Sequence, residues 1–141
     1  MMKIDNILLD NLTAQAQASP RLRMNMDLRN SDADSSQRML NAIEPGLVVP
    51  IHRHQKTSET VVVLRGRVVE EYYSSAGVLE AAYELAAGGP VFALNIPAGQ
   101  WHTLRALEFG TVILEMKDGA YEPIGAGDVM DVFKRESLQG K

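Results

Sequence analysis

Residues 46–66 read GLVVPIHRHQKTSETVVVLRG, and this stretch decides the fold. His52 and His54 stand two apart, and Glu59 follows five residues after His54. Pro50 to His54 reads as a strand, in which side chains two apart project to one face. His52 and His54 are therefore expected to point together. Gln55-Lys56-Thr57-Ser58 is polar and turn-like, and Glu59 opens the run Thr60-Val61-Val62-Val63-Leu64, which has the β-branched composition of a buried strand. Two neighbouring strands can bring two imidazoles and one carboxylate to a point.

The third and last histidine of the chain, His102, closes Pro97-Ala98-Gly99-Gln100-Trp101-His102. Contributed from another strand, it would complete a shell of three histidines and one carboxylate. Such nitrogen and oxygen donors suit one divalent transition metal, whether Fe, Mn, Ni, Zn or Cu, and do not choose among them. A histidine pair alone is weak evidence, because surface or satisfied core histidines are common. The glutamate and glycine at defined spacing, and the second segment with its own histidine, make the shared site the better reading.

Gly46, His52, His54, Glu59 and Gly66 together resemble the first cupin motif, and Pro97, Gly99 and His102 resemble the middle of the second. Val91 and Ala106 stand where the second motif usually has a glycine and an asparagine. The resemblance implies an all-β cupin domain, a double-stranded β-helix or jelly-roll barrel, with His52, His54, Glu59 and His102 as metal ligands. It also implies a homodimer, since cupins are often dimers.

Composition bounds the rest. A chain of 141 residues is expected to form one domain: a helical segment over 1–19, the barrel over 20–123, and a tail over 124–141. No apolar run is long enough to cross a bilayer, and the N-terminus lacks a basic segment followed by an apolar one, so a cytoplasmic protein is expected. The absence of cysteine removes disulfides and thiolate ligands, and the net charge of −4 argues against nucleic acid as a partner.

Residues 4–18 place Ile4, Ile7, Leu8, Leu12 and Ala16 at three- and four-residue steps, the pattern of an amphipathic helix, which Ser19-Pro20 ends. From Pro20 to Leu28 the pattern changes to a period of two. Leu22, Met24, Met26 and Leu28 take one face of a strand; Arg21, Arg23, Asn25 and Asp27 take the other. Either that polar face meets solvent, or it lines a pocket in which Arg21, Arg23 and Asn25 bind a ligand, the arginines gripping a carboxylate or phosphate. Periodicity does not say which.

Further short runs follow, punctuated by turn residues: Arg38 to Ile43, Val61 to Leu64, Val68 to Tyr73, Val78 to Leu85, Val91 to Ile96, Trp101 to Leu107 and Gly110 to Met116. Arg65-Gly66-Arg67 is expected to be a tight hairpin. Asp128 to Leu138 reads either as a short helix, with Val129, Val132 and Phe133 on one side, or as a loosely held tail.

The arginine strand, Gln37-Arg38-Met39-Leu40-Asn41, the two histidine segments and Lys117 to Pro123 are similar to the WbuC-type cupin-fold metalloproteins across most of residues 18–123. Asn30 stands near where those proteins often carry a histidine. Their genes lie among those for O-antigen and other surface polysaccharides. The resemblance implies a fold and a metal but no substrate. The ligand set and the possible anion-holding strand at Arg21 and Arg23 lead to the expectation of a small-molecule enzyme, such as an isomerase or epimerase, acting on a sugar or nucleotide-sugar, with an anionic sugar as a candidate ligand and no membrane partner. Two other readings stay open: a metal-dependent carbohydrate-binding module without catalysis, and a metal-dependent oxygenase. With every histidine assigned to the metal, a general base has to be a metal-bound hydroxide, Glu70, Tyr72 or another carboxylate, and no catalytic residue is assigned.

Overall fold

Helix α1 spans Asn6–Ala18. The Asp5 side chain caps it, accepting from the Leu8 N–H at 3.0 Å, and the extended backbone of Ser19 ends it ahead of Pro20. Leu9, Leu12 and Ala16 form its buried stripe, whereas Ile7, placed on that stripe by the spacing, is 71% exposed. The difference is one of phase: at 100° per residue, positions 9, 12 and 16 share a face that position 7 leaves. The computed structural model describes residues 1–130, so most of the expected C-terminal helix lies outside the described residues. Of its described residues, Asp128 ends a 3₁₀ turn, Ala126–Asp128, and Val129 is extended and bridges His52, so the helix does not begin where the spacing placed it.

Among the described residues, eight strands follow α1: β1 (Arg23–Asp27), β2 (Ser36–Ile43), β3 (Glu59–Arg65), β4 (Arg67–Tyr73), β5 (Leu79–Ala86), β6 (Ala93–Ile96), β7 (Trp101–Ala106) and β8 (Thr111–Asp118). They form two antiparallel sheets, one in the order β1-β2-β8-β3-β6 and the other in the order β5-β4-β7. This is the all-β, jelly-roll cupin fold with an N-terminal helix. β1 starts later than the alternation suggests, because Leu22 adopts a φ of 55° and turns the chain before Arg23.

The expected hairpin at Gly66 is corrected by the topology. β3 belongs to the five-stranded sheet and β4 to the three-stranded one, so Gly66 carries the chain around a corner between sheets. Its φ is 81°, and a Cβ there would stand 2.4 Å from Thr111 Oγ1 and 2.9 Å from the Thr111 Cα. Only glycine fits so close to β8.

Two apolar clusters result. The outer one packs α1 on the five-stranded sheet, joining Leu9, Leu12 and Ala16 to Leu40, Ala42 and Val112. The inner one lies between the sheets and contains Ile43, Val61, Val63, Val68, Leu85, Ile96, Leu104 and Ile113. Cross-strand pairs change along its length, from Val63 opposite Ile113, through Val61 opposite Glu115, to Glu59 opposite Lys117. The space between the sheets is therefore aliphatic at one end and charged at the other. Among the described residues, no helix is long and apolar enough to cross a membrane.

Candidate metal centre

The four expected donors meet at that charged end. Pro50 to His54 is extended but is not a full strand; it pairs through isolated bridges. His52 lies directly opposite His102 on the free edge of β7, each donating its N–H to the other's carbonyl at 3.0 and 2.8 Å. Side chains of such a pair share a face, and the two imidazole centroids are 4.4 Å apart. His54, two residues on, brings its ring centroid to 5.2 Å from that of His52 and 5.9 Å from that of His102. Glu59 enters from the opposite sheet at the start of β3, placing Oε2 3.3 Å from His54 Nε2 and 3.5 Å from His102 Nε2. One donor atom from each residue lies within 4.8 Å of every other, so the cluster is able to hold a metal ion.

Hydrogen bonds prepare the rings. His52 Nδ1 lies 2.9 Å from the Pro50 carbonyl, and His102 Nδ1 lies 2.8 Å from the Gln100 carbonyl. A carbonyl oxygen only accepts, so each Nδ1 carries the proton and each Nε2 keeps a free lone pair. Burial, with His102 alongside, pushes the His52 pKa down to about 4, which leaves that ring neutral near pH 7. Burial acts against ionisation of Glu59, and the positive charge of Lys117 acts for it. Among the described residues, no hydrogen-bond donor reaches the buried Glu59 Oε2. A carboxylate oxygen facing imidazole lone pairs is electrostatically unfavourable until a cation stands between them, so the donor set fits a metal.

The cluster opens into a cavity of about 270 Å³. Arg23 lines it, as one reading of β1 allowed. Arg21 does not; beyond the turn at Leu22 it is exposed and borders a separate cleft with Pro20, Gly46 and Val48. Asn25 lies outside the cavity lining; it is exposed and accepts from Arg23 Nη2 at 3.4 Å. Three lining residues were not singled out by the sequence: Asn41, Glu115 and Lys117. Their signal was a polar residue inside an apolar run: Asn41 within Met39–Ile43 of β2, and Glu115 and Lys117, two apart, following Val112-Ile113-Leu114 in β8. Burial, then the charge of Glu59, pushes the Glu115 pKa up to about 7.

Of the candidate bases, Glu70 is 0% exposed with neither carboxylate oxygen hydrogen-bonded, and burial pushes its pKa well above the usual value. Tyr72 packs edge-on to Tyr83 at 5.2 Å, and burial pushes its hydroxyl up. Neither lines the cavity. Trp101 is half-buried beneath Arg53, whose Cζ sits 4.6 Å from the ring centroid. Arg53 Nε in turn donates to Asp128 at 2.9 Å, and the backbone of Ile51 and Arg53 bonds that of Met130 and Asp128. These bonds hold a strap, residues 124–130, whose Ile124 and Val129 form part of the cavity wall.

A family model described as Domain of unknown function (DUF6016) matches residues 4–85. No curated protein matches the sequence. Among solved structures, KdgF from Halomonas sp. is 16% identical with a TM-score of 0.58, over 73% of this chain and 84% of that one. The capsular polysaccharide assembling protein CapF from Staphylococcus aureus is 19% identical with a TM-score of 0.61, over 79% of this chain. The chain spans only 32% of the length of CapF. TT1209 from Thermus thermophilus is 22% identical with a TM-score of 0.60, over 84% of this chain and 98% of that one. At these identities the likeness is one of fold. The shared fold is the cupin fold, and a match over more than half of its length makes the protein a member of the DUF6016 family.

Proposed function

We propose that the protein is a metal-dependent cupin of the WbuC type, an enzyme acting on a sugar or nucleotide-sugar in surface polysaccharide synthesis. One observation carries this: three histidines and a glutamate converge at the inner end of a cavity, with Glu59 Oε2 left without a donor. We assign His52, His54, Glu59 and His102 as the ligands of one divalent transition ion, one of Fe, Mn, Ni, Zn or Cu. The fold likeness to CapF, described as a capsular polysaccharide assembling protein, supports the polysaccharide setting.

Once bound, such an ion supplies Lewis acidity toward a substrate carbonyl, hydroxyl or water. The chain's own residues do the rest. The Pro50 and Gln100 carbonyls fix the ring orientations of His52 and His102. Arg23 and Lys117 offer positive charge on the cavity wall, and Glu115 holds or releases a proton within reach of bound substrate. Ile124 and Val129 exclude water from one side. The reading places the protein in the cytoplasm as a homodimer. The exposed Leu79 and Tyr83 on β5, an edge strand, offer a surface for pairing.

The test is elemental analysis of protein purified without added metal, followed by a screen of sugars and nucleotide-sugars for a change of mass or stereochemistry. About one transition ion per chain, with turnover of a sugar substrate, is the expected result. Tight sugar binding without turnover would assign a binding module, and oxygen consumption with iron would assign an oxygenase. Protein that holds no metal and takes none up sinks the reading.

A further inference from the structure

We infer that the cavity selects a small hydroxy acid, whose carboxylate is held by Arg23 and Lys117 and one of whose hydroxyls donates to Asn41. The inference rests on the metal-dependent reading above and names the ligand class for the same site.

Charge comes first. Arg23 and Lys117 share the cavity with Glu59 and Glu115. Among the described residues, Arg23 makes one side-chain hydrogen bond, to neutral Asn25, and Lys117 acts on Glu59 and Glu115 through space. A divalent ion on the histidines and Glu59 therefore leaves the cavity with surplus positive charge, whichever state Glu115 takes. A lined, partly dehydrated hollow of that sign favours an anion, and a guanidinium suits a planar carboxylate.

Asn41 supplies a second, independent constraint. Asn41 is 5% exposed and lines the cavity, yet among the described residues no hydrogen-bond donor reaches its Oδ1. Buried polar atoms in folded proteins are nearly always satisfied, so an orphaned acceptor facing a ligand cavity points to a donor on the ligand. A carboxylate cannot serve, but a hydroxyl can. Asn41 and Ile43 are two apart on β2, and Ile43 is the register partner of Arg23. The hydroxyl and carboxylate positions thus lie side by side on one wall, the arrangement of a carboxylate with a hydroxyl on a nearby carbon.

Size sets the third limit. At about 270 Å³ the cavity is just below the usual ligand-pocket range of roughly 300–1,000 Å³. It admits an acid of monosaccharide size. The nucleotide of a nucleotide-sugar would remain outside.

The experiment is calorimetric titration of metal-loaded protein with D-glucuronate and D-gluconate, against D-glucose, which lacks the carboxylate, and butyrate, which lacks the hydroxyls. The acid sugars are expected to bind about tenfold or more tighter than either control. Arg23→Gln should weaken acid-sugar binding by about tenfold while leaving metal content and melting temperature unchanged. Asn41→Leu should remove the preference over butyrate; Asn41→Ala serves if the leucine variant does not fold. Glucose binding as tightly as glucuronate overturns the inference, as does an Arg23→Gln variant with undiminished binding. Those results leave the metal reading standing. If the protein takes up no metal, that reading fails, and the same titrations on the metal-free chain decide this one: no preference for the acids overturns it.

Discussion

The two apolar clusters of this small protein are built to opposite rules. Between α1 and the five-stranded sheet, Leu9, Leu12, Ala16, Leu40, Ala42 and Val112 pack with Met24 and Met26, and the one buried polar atom there without a partner among the described residues is the Thr13 hydroxyl. Between the sheets, Ile43, Val61, Val63 and their neighbours share the space with buried Glu59, Glu70 and His102. Burying carboxyls without full hydrogen bonding is costly, and burying aliphatic side chains is the main stabilising term. Both clusters therefore stabilise the fold by burying aliphatic side chains, and the contrast is that the inner one also tolerates buried carboxyls and an imidazole, two of which, Glu59 and His102, belong to the metal centre.

The strongest way to break that comparison is to damage the outer cluster alone. Leu40 is fully buried, and Leu40→Ala should cost about 3 kcal/mol of stability by leaving a cavity. Metal uptake by the folded fraction should be unchanged, as read by urea melts beside metal titration. Loss of metal affinity in folded Leu40→Ala protein would show that the two clusters are not separable.

The complementary change strikes the inner site. His54→Ala removes one of four donors and should lower metal affinity by on the order of 100-fold, while the metal-free melting curve moves by less than about 1 kcal/mol. The ring is half-buried, and its nearest ionic neighbour is Glu59, not the aliphatic core. An unfolded His54→Ala chain would instead make the ion a structural element, needed for the fold itself.

How far the sequence carried these two regions follows from what each depends on. The metal donors were legible because a spacing of two on an extended segment, plus a glutamate opening a β-branched run, leaves little freedom in where side chains point. The aliphatic strands were legible for the same reason. What failed depended on relations between segments. Gly66 reads as a hairpin turn because its flanks are both strand-like, and nothing in those flanks says that β3 and β4 belong to different sheets. The close approach of Thr111, 45 residues away in sequence, decides it. Arg21 and Arg23 look equivalent in the alternation, yet the positive φ at Leu22 sends only Arg23 to the cavity. Asn41, Glu115 and Lys117 became meaningful only once register placed β2 beside β8 and β8 beside β3.

Glu70 sharpens the comparison further. It is the fully buried carboxyl of the inner cluster, with both oxygens unpartnered and a raised pKa. A carboxyl whose folded pKa is raised binds a proton more tightly in the native chain than in the unfolded one. Its contribution therefore turns unfavourable as pH rises above about 4.5, the unfolded value, toward the folded one. Glu70→Leu should stabilise the protein by about 1–3 kcal/mol near pH 8, with little gain near pH 4. Chemical melts of both proteins across that range check it. A gain independent of pH, or a loss, would mean that Glu70 makes a stabilising contact in its ionised form.

The smallest effect belongs to the strap, which adds a wall to the cavity without adding to either cluster. Asp128 Oδ1 accepts from Arg53 Nε at 2.9 Å and from Gln55 Nε2 at 2.6 Å. These contacts, the Gln55 bond first and the Arg53 bond next, hold its carboxyl below the usual range, so they persist above about pH 3.8 and fade as pH falls through the folded value. The pair is only half-buried, so solvent screens it and it contributes little to global stability. Asp128→Asn should therefore leave the melting temperature unchanged. It should speed hydrogen exchange at the amides of Arg53 and Met130, which bond the Asp128 and Ile51 carbonyls at 3.0 and 2.8 Å, while the amides of β2 and β8 exchange as before. Faster exchange spreading into those strands would show the strap to be part of the inner cluster, and the cavity wall at Ile124 and Val129 would then be fixed by the core instead of by a surface clasp.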